Sequence, residues 1–223
     1  MTEVTHTPSD VEGRARYMPA YPVMLQMSGQ LLLESIGNQG SVLVIGAGGG
    51  LEIEAFARRS SAWRFCAVDP TPNMIAEARA RLRACGADAR TTWIEGYVFD
   101  APAAQYDAAT CLLTLHFVPD DGQKLKTLQA IRDRLRPGAP FVLVDCCMDK
   151  SAANFAERLD RYCQFAFDSG APAEMLDVAR DRMTNVGHTV SEGRETELLR
   201  EAGFSGIELF YAGHSWRGWM SYA

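Results

Sequence analysis

Residues 42–51 read Val-Leu-Val-Ile-Gly-Ala-Gly-Gly-Gly-Leu and run on into Glu52-Ile53-Glu54-Ala55-Phe56-Ala57. Four branched apolar residues in succession suit a strand buried on both faces. The glycines that follow permit a tight turn and close backbone approach, and the sequence after Leu51 has the composition of a helix start. A strand, a glycine turn and a helix N-terminus form a corner that binds anions or nucleotides through exposed backbone N–H groups.

Outward from this corner the chain alternates. Met24, Met27, Leu31 and Leu32 mark an amphipathic helix over Val23 to Ile36, preceded by a segment in which Tyr17, Pro19, Tyr21 and Pro22 interrupt any longer helix. Trp63 to Val68 reads as a second strand ending at Asp69-Pro70. Thr71 is placed to cap the next helix, with Pro72 at its first position and Met74, Ile75, Ala78 and Leu82 on its inner face. Thr91 to Ile94 is a short third strand, and a fourth lies within Tyr106 to Leu115. A helix starting at Asp120 or Asp121 carries Leu125, Leu128, Ile131 and Leu135 and stops at Arg136-Pro137-Gly138. Phe141 to Val144 is a fifth strand. Two helical segments without a strand then fill Ser151 to Val186, split at Ser169-Gly170-Ala171-Pro172. Ser191 can cap a last helix, and Phe204 to Ala212 and Trp216 to Tyr222 are spaced to pair antiparallel.

This order predicts an α/β fold, a doubly wound, mostly parallel seven-stranded sheet of the Rossmann-like kind with a helical lid insertion. The expected divisions are an N-terminal arm and cap helix (1–40), a cofactor-binding α/β core (41–150), the lid (151–190), and a C-terminal helix and strand pair (191–223).

The 223 residues carry a net charge of -6, with Lys only at 124, 126 and 150 and no basic cluster, which argues against nucleic acid and anionic membranes as partners. No apolar run is long enough to span a bilayer, and Met1 to Asp10 lacks the apolar stretch of a signal peptide. Cys66, Cys85, Cys111, Cys146, Cys147 and Cys163 form no CxxC pair and read as buried, reduced thiols of a cytoplasmic protein, with packing favoured over reactivity for Cys146-Cys147. No spacing of His, Cys, Asp or Glu suggests a metal site. The sequence leaves the oligomeric state open.

The dinucleotide fingerprint needs glycines at its first, third and sixth positions; counted from Gly46, the sixth is Leu51. The three lysines also lack the Tyr four residues upstream that short-chain reductases use. The spacing present is Gly46, Gly48, Gly50, joined about 20 residues on by Asp69, where a carboxylate can accept both ribose hydroxyls or cap the next helix.

With residues 67–79, 110–119, 128–145 and 198–204 added in order, the chain resembles the class I S-adenosylmethionine-dependent methyltransferases from Val42 to Tyr222. The resemblance implies S-adenosyl-L-methionine as cofactor. Gly46, Ala47 and Gly48 would lie against its methionine part, Asp69 would hold the ribose, and Pro70 and Met74 would lie beside the adenine. Gly96, Tyr97 and Val98 would bracket the adenine edge, and Leu113 and Thr114 would line the methyl-donor pocket. Two family positions differ: Val44 stands where an acidic residue is common, and Tyr97 where an Asp is common.

Methyl transfer from a sulfonium asks the protein for alignment, exclusion of water and sometimes a base. His116, at the end of the fourth strand, is the candidate base, with a structural role at the strand end as the other reading. By the same resemblance Tyr17 is assigned to the cofactor and Tyr21 to the substrate, or both to packing. Asp145 either orients the substrate or caps the following helix. Tyr162, Phe165, Phe167 and Trp216 would suit a small apolar or aromatic acceptor, and His188 and His214 read as loop or strand residues. The leading expectation is therefore a methyltransferase acting on a small organic acceptor by direct displacement. The alternatives are a non-catalytic cofactor-binding or regulatory subunit and, because residues 113–119 also resemble enzymes that modify the tRNA wobble uridine, a tRNA-modifying transferase of the same fold.

Overall fold

The computed structural model describes residues 11–223, so the expected N-terminal arm, with His6, lies outside the described residues. The seven strands are β1 (Gln39–Ile45), β2 (Ala62–Asp69), β3 (Thr91–Glu95), β4 (Ala108–Leu112), β5 (Pro140–Cys146), β6 (Ser205–Gly213) and β7 (Trp216–Tyr222). They form one sheet in the order β3-β2-β1-β4-β5-β7-β6. All neighbours are parallel except at β7, which runs antiparallel to both β5 and β6. The expected doubly wound sheet with a terminal antiparallel pair is thus present. Strand order reverses between β1 and β4, and in such sheets the crevice at that reversal, beyond the strands' carboxyl ends, is the ligand site.

The alternation in β1 explains why both faces are covered. Val42 and Val44 join Ile53, Phe56 and Trp63 in one apolar cluster, while Leu43 and Ile45 join Leu128, Ile131 and Leu198 in the other. The helices are α1 (Val11–Tyr17), α2 (Tyr21–Ile36), α3 (Leu51–Arg59), α4 (Pro72–Ala84), α5 (Gln123–Arg132), α6 (Phe155–Asp168), α7 (Ala173–Asp181) and α8 (Glu192–Glu201). None is long and apolar enough to cross a membrane.

Three local expectations change. Pro22 sits in the first turn of α2, where a missing N–H costs nothing, so that helix begins at Tyr21. Its buried face runs through Tyr21, Met24, Leu25, Ser28, Gly29 and Leu32, leaving Met27 and Leu31 half-buried. Ser28 is tolerated there because its hydroxyl donates to Met24 O at 2.9 Å, and a Cβ on Gly29 would lie only 3.2 Å from Phe56 of α3. Second, Thr71 occupies the cap position of α4 without a side-chain cap; its own N–H donates to Asp69 Oδ1 at 2.9 Å. Third, α5 begins at Gln123, whose N–H donates to Asp121 Oδ1 at 3.1 Å, and its buried face includes Lys124 and Thr127. Ser191 does cap α8, accepting from Arg194 N–H. Cys85 is exposed, against expectation; the other five cysteines are buried, and all six are free thiols.

Ile53→Ala and Leu128→Ala each delete a fully buried side chain, on opposite faces of the sheet. Each should cost about 2–5 kcal/mol by chemical denaturation, and the double variant should lose close to the sum.

Candidate active site

Two adjoining cavities open at the strand-order reversal. The larger, about 430 Å³, is lined by the glycine turn, Glu52, Asp69 to Thr71, Met74, Gly96 to Phe99 and Cys111 to Leu115. The smaller, about 90 Å³, is lined mainly by apolar and aromatic groups, among them Tyr17, His116, Tyr162, Met183 and Trp216. Arg14, Leu113, Phe117 and Arg182 line both.

The corner is built by main chain and one carboxylate. Gly46 and Ala47 N–H both donate to Val68 O, at 2.8 and 3.0 Å, tying the end of β1 to β2. Gly46 has φ 72°, and a Cβ there would overlap the Thr114 side chain, so only glycine lets the turn lie against β4's exit. Asp69, 7% exposed, accepts from Gly48 N–H at 2.8 Å through Oδ2 and from Thr71 N–H through Oδ1. Helix α3 then opens with Glu52 and Glu54. Because the Gly48 N–H already holds a carboxylate, the corner offers one donor fewer to an anion. It differs from the generic anion cradle that its sequence suggests.

Glu52 is buried (6% exposed) and lines the larger cavity; Thr110 Oγ1 donates to its Oε1 at 2.6 Å. Burial pushes its carboxyl up to about 8, with the Thr110 bond and the Arg14 charge opposing. Tyr21 lines the same cavity, and burial raises its phenol to about 12.

The cofactor-binding expectations for Gly46, Ala47, Gly48, Asp69, Pro70, Met74, Tyr97, Val98, Leu113 and Thr114 all fall on the larger cavity. Tyr97 is 64% exposed at its mouth beside Phe99. The two tyrosines exchange places. Tyr21 lines the larger cavity and not the smaller, whereas Tyr17 lines the smaller and packs its ring 6.0 Å from Tyr162. The cause is the break at 18–20, where Ala20 takes φ 53° and turns α2 away from α1. Tyr162 and Trp216 line the smaller cavity as an acceptor rim would, but Phe165 packs on His214 and Phe167 is exposed; neither lines a cavity.

His116 lines the smaller cavity although it is only 4% exposed. Its Nδ1 lies 2.5 Å from Asp145 Oδ1, which also accepts the His116 N–H at 3.1 Å. Asp145 is fully buried on β5 and lines neither cavity, so it neither meets a substrate nor caps a helix; it holds His116 from behind. A carboxylate on Nδ1 places the ring proton there and leaves Nε2 as the basic nitrogen.

Behind Asp145 lies a group that the sequence reading missed. Lys124 is fully buried on α5, its Nζ 3.2 Å from Glu195 Oε1, 3.2 Å from Leu115 O and 4.0 Å from Asp145 Oδ2. Burial, then the adjacent Asp145 charge, raises the Glu195 carboxyl, so it retains a proton where an exposed glutamate would not. Lys124 and Asp145 then balance, and the cluster holds no net charge.

Fold and site together make an α/β protein with a doubly wound sheet and two adjoining cavities at its strand-order reversal. Residues 43–141 match the family described as "Methyltransferase domain". Curated relatives include proteins named Carboxy-S-adenosyl-L-methionine synthase. The one from Wolinella succinogenes is 22% identical over 212 residues, covering 94% of this chain and 85% of the relative. The one from Erwinia tasmaniensis is 26% identical over 199 residues, covering 88% and 80%. A solved O-methyltransferase family protein from Burkholderia thailandensis superposes with a TM-score of 0.64 at 16% identity, covering 89% of this chain and 56% of that one. Residues 43–141 are thus similar to a methyltransferase domain, and the sheet has the fold of the solved O-methyltransferase family protein. The larger cavity falls within the usual range for small-molecule sites and would fit S-adenosyl-L-methionine, the cofactor that the resemblance implies.

Two tests follow from the buried charges. Lys124→Ala leaves Asp145 buried without its cation and should cost about 3–5 kcal/mol, part of which Lys124→Ala/Asp145→Asn should restore. Glu52 binds its proton more tightly folded than unfolded. Its contribution to stability is therefore full below its ordinary pKa and is lost as pH rises from there to about 8. Thermal melts of the ligand-free protein should fall across that window, and Glu52→Gln should flatten the fall.

Proposed function

We propose that the chain transfers the methyl group of S-adenosyl-L-methionine to a protic atom of a small apolar or aromatic acceptor held in the smaller cavity. The observation that carries this reading is the position of His116, a buried imidazole fixed by Asp145 on the wall of a small aromatic cavity that adjoins the larger one. When bound, the cofactor supplies a methyl group already activated by its sulfonium. The chain's share is then to align and to take a proton. Asp69 would accept from the ribose hydroxyls with the lone pairs left after its two backbone bonds, and Pro70, Met74 and Val98 would pack on the adenine. His116 Nε2 would take the acceptor's proton. Tyr17, Tyr162 and Trp216 would pack on the acceptor, and residues 151–190, including α6 and α7, would act as a lid excluding water. The chain's net charge of -6 favours such an acceptor over tRNA.

The relatives' name motivates a second reading, in which the product is S-adenosyl-L-methionine carrying an added carboxyl group. The two arginines shared by the cavities favour it, since a carboxylate formed there would meet positive charge. The mass of the nucleoside product separates the readings: S-adenosylhomocysteine supports methyl transfer, and a carboxylated cofactor overturns it.

Asp69→Ala should weaken cofactor binding about tenfold or more by calorimetry, as for a lost bond to a charged group. His116→Ala should leave that affinity within about a factor of two while lowering kcat about 100-fold or more. Equal turnover by His116→Ala and the parent would remove the base assignment.

A further inference from the structure

We infer that Glu52 and Arg14 form a clamp for the amino-acid end of the cofactor, Glu52 receiving its ammonium and Arg14 its carboxylate. This rests on the cofactor assignment and adds the specificity device that neither the fold nor the relatives' names supply. Both residues line the larger cavity beside the glycine turn, and Arg14 Nη2 lies 3.6 Å from where a Gly48 Cβ would be. They feel each other's charge, yet no ion pair joins them among the described residues. Arg14 Nε is buried without a hydrogen-bond partner.

A buried carboxyl whose one side-chain bond comes from a threonine gains from a cationic partner. Arg14, which lines the same cavity, carries the guanidinium for the other end. A zwitterion placed between them gives each end a partner: its carboxylate meets the guanidinium, and its ammonium donates to the Glu52 carboxyl and favours that carboxyl's ionised form. Among the described residues that line the larger cavity the other carboxyl is Asp69, which is assigned to the ribose; Glu54 does not line it and pairs with Arg58 and Arg81. The remaining neighbours of Glu52 are uncharged or point elsewhere: Thr110 from β4 donates to it, and the Tyr21 phenol from α2 stays protonated.

The clamp predicts that the protein discriminates by the amino-acid tail as well as by the nucleoside. Calorimetry at pH 7.5 with three probes tests it: S-adenosylhomocysteine, decarboxylated S-adenosylmethionine, which keeps the amine alone, and 5′-methylthioadenosine, which lacks the tail. The parent should bind S-adenosylhomocysteine about tenfold or more tighter than 5′-methylthioadenosine. Glu52→Gln keeps shape and can still meet Thr110; it should weaken the first two probes about tenfold and leave the third unchanged. Arg14→Gln should weaken S-adenosylhomocysteine alone. Loss of all three probes equally in Glu52→Gln, or no loss at all, would overturn the clamp. Equal affinity of the parent for S-adenosylhomocysteine and 5′-methylthioadenosine would do the same while leaving the cofactor assignment intact. Failure of the parent to bind any probe would instead strike the cofactor assignment, and the clamp with it.

Discussion

The carboxylate of Asp69 closes the corner on which the site depends. It ends β2, in register with a glycine turn that ends β1, and each oxygen takes one N–H, from Gly48 and from Thr71. Charge-assisted bonds of this kind contribute about 1.5–3 kcal/mol each. They bind two chain reversals that share no strand pairing beyond Ile45 and Val68. With the turn held, Gly46 lies against Thr114 and the entrances of α3 and α4 come together, which leaves the cavity between β1 and β4. The same bonds take up the Gly48 N–H, so the closed corner is not an open anion cradle.

A second constraint comes from burying charge around His116. All seven residues of β5 are buried, so a carboxylate on that strand must find its partners inside the protein. Asp145 finds them in the His116 ring and backbone and in Lys124. Lys124 in turn bonds Glu195 and Leu115 O, so α5, α8 and the exit of β4 are coupled through one ammonium. A buried cluster of this kind is a weak source of stability. What it does supply is position: Asp145 Oδ1 holds the His116 backbone N–H and the ring Nδ1 together, so the imidazole cannot turn without breaking its bond to that oxygen.

The sheet was legible because buried parallel strands are near-continuous apolar runs, and Val42 to Ile45, Phe141 to Val144 and the turns around them follow that rule. The lining of the larger cavity was legible because many of its residues are local to strand ends. Glu52, Lys124 and Glu195 were not. Each stands in a charged helical segment that reads as a solvated face, and only the approach of β4, β5 and α8 buries them. Which cavity each tyrosine meets was not legible either: the prolines mark a break between Tyr17 and Tyr21, but the left-handed Ala20 that sends one ring to each cavity is a property of the backbone.

The insertion after β5 is tied down unevenly. At its far end a π-helical turn, Arg182 to Val186, brings Arg182 over both cavities and Val186 over the larger. Such turns are uncommon and often mark functional sites. This one is pinned at both sides: Lys150 Nζ donates to Thr184 O at 2.6 Å, and just beyond it His188 N–H donates to His116 O at 2.5 Å. At the near end Arg158 of α6 donates to Cys147 O at 2.6 Å. Between these anchors α7 supplies Met175, Val178 and Ala179 to the smaller cavity and joins α6 through Ser169-Gly170-Ala171-Pro172. The anchored parts of the insertion are thus those that lie against His116 and the larger cavity.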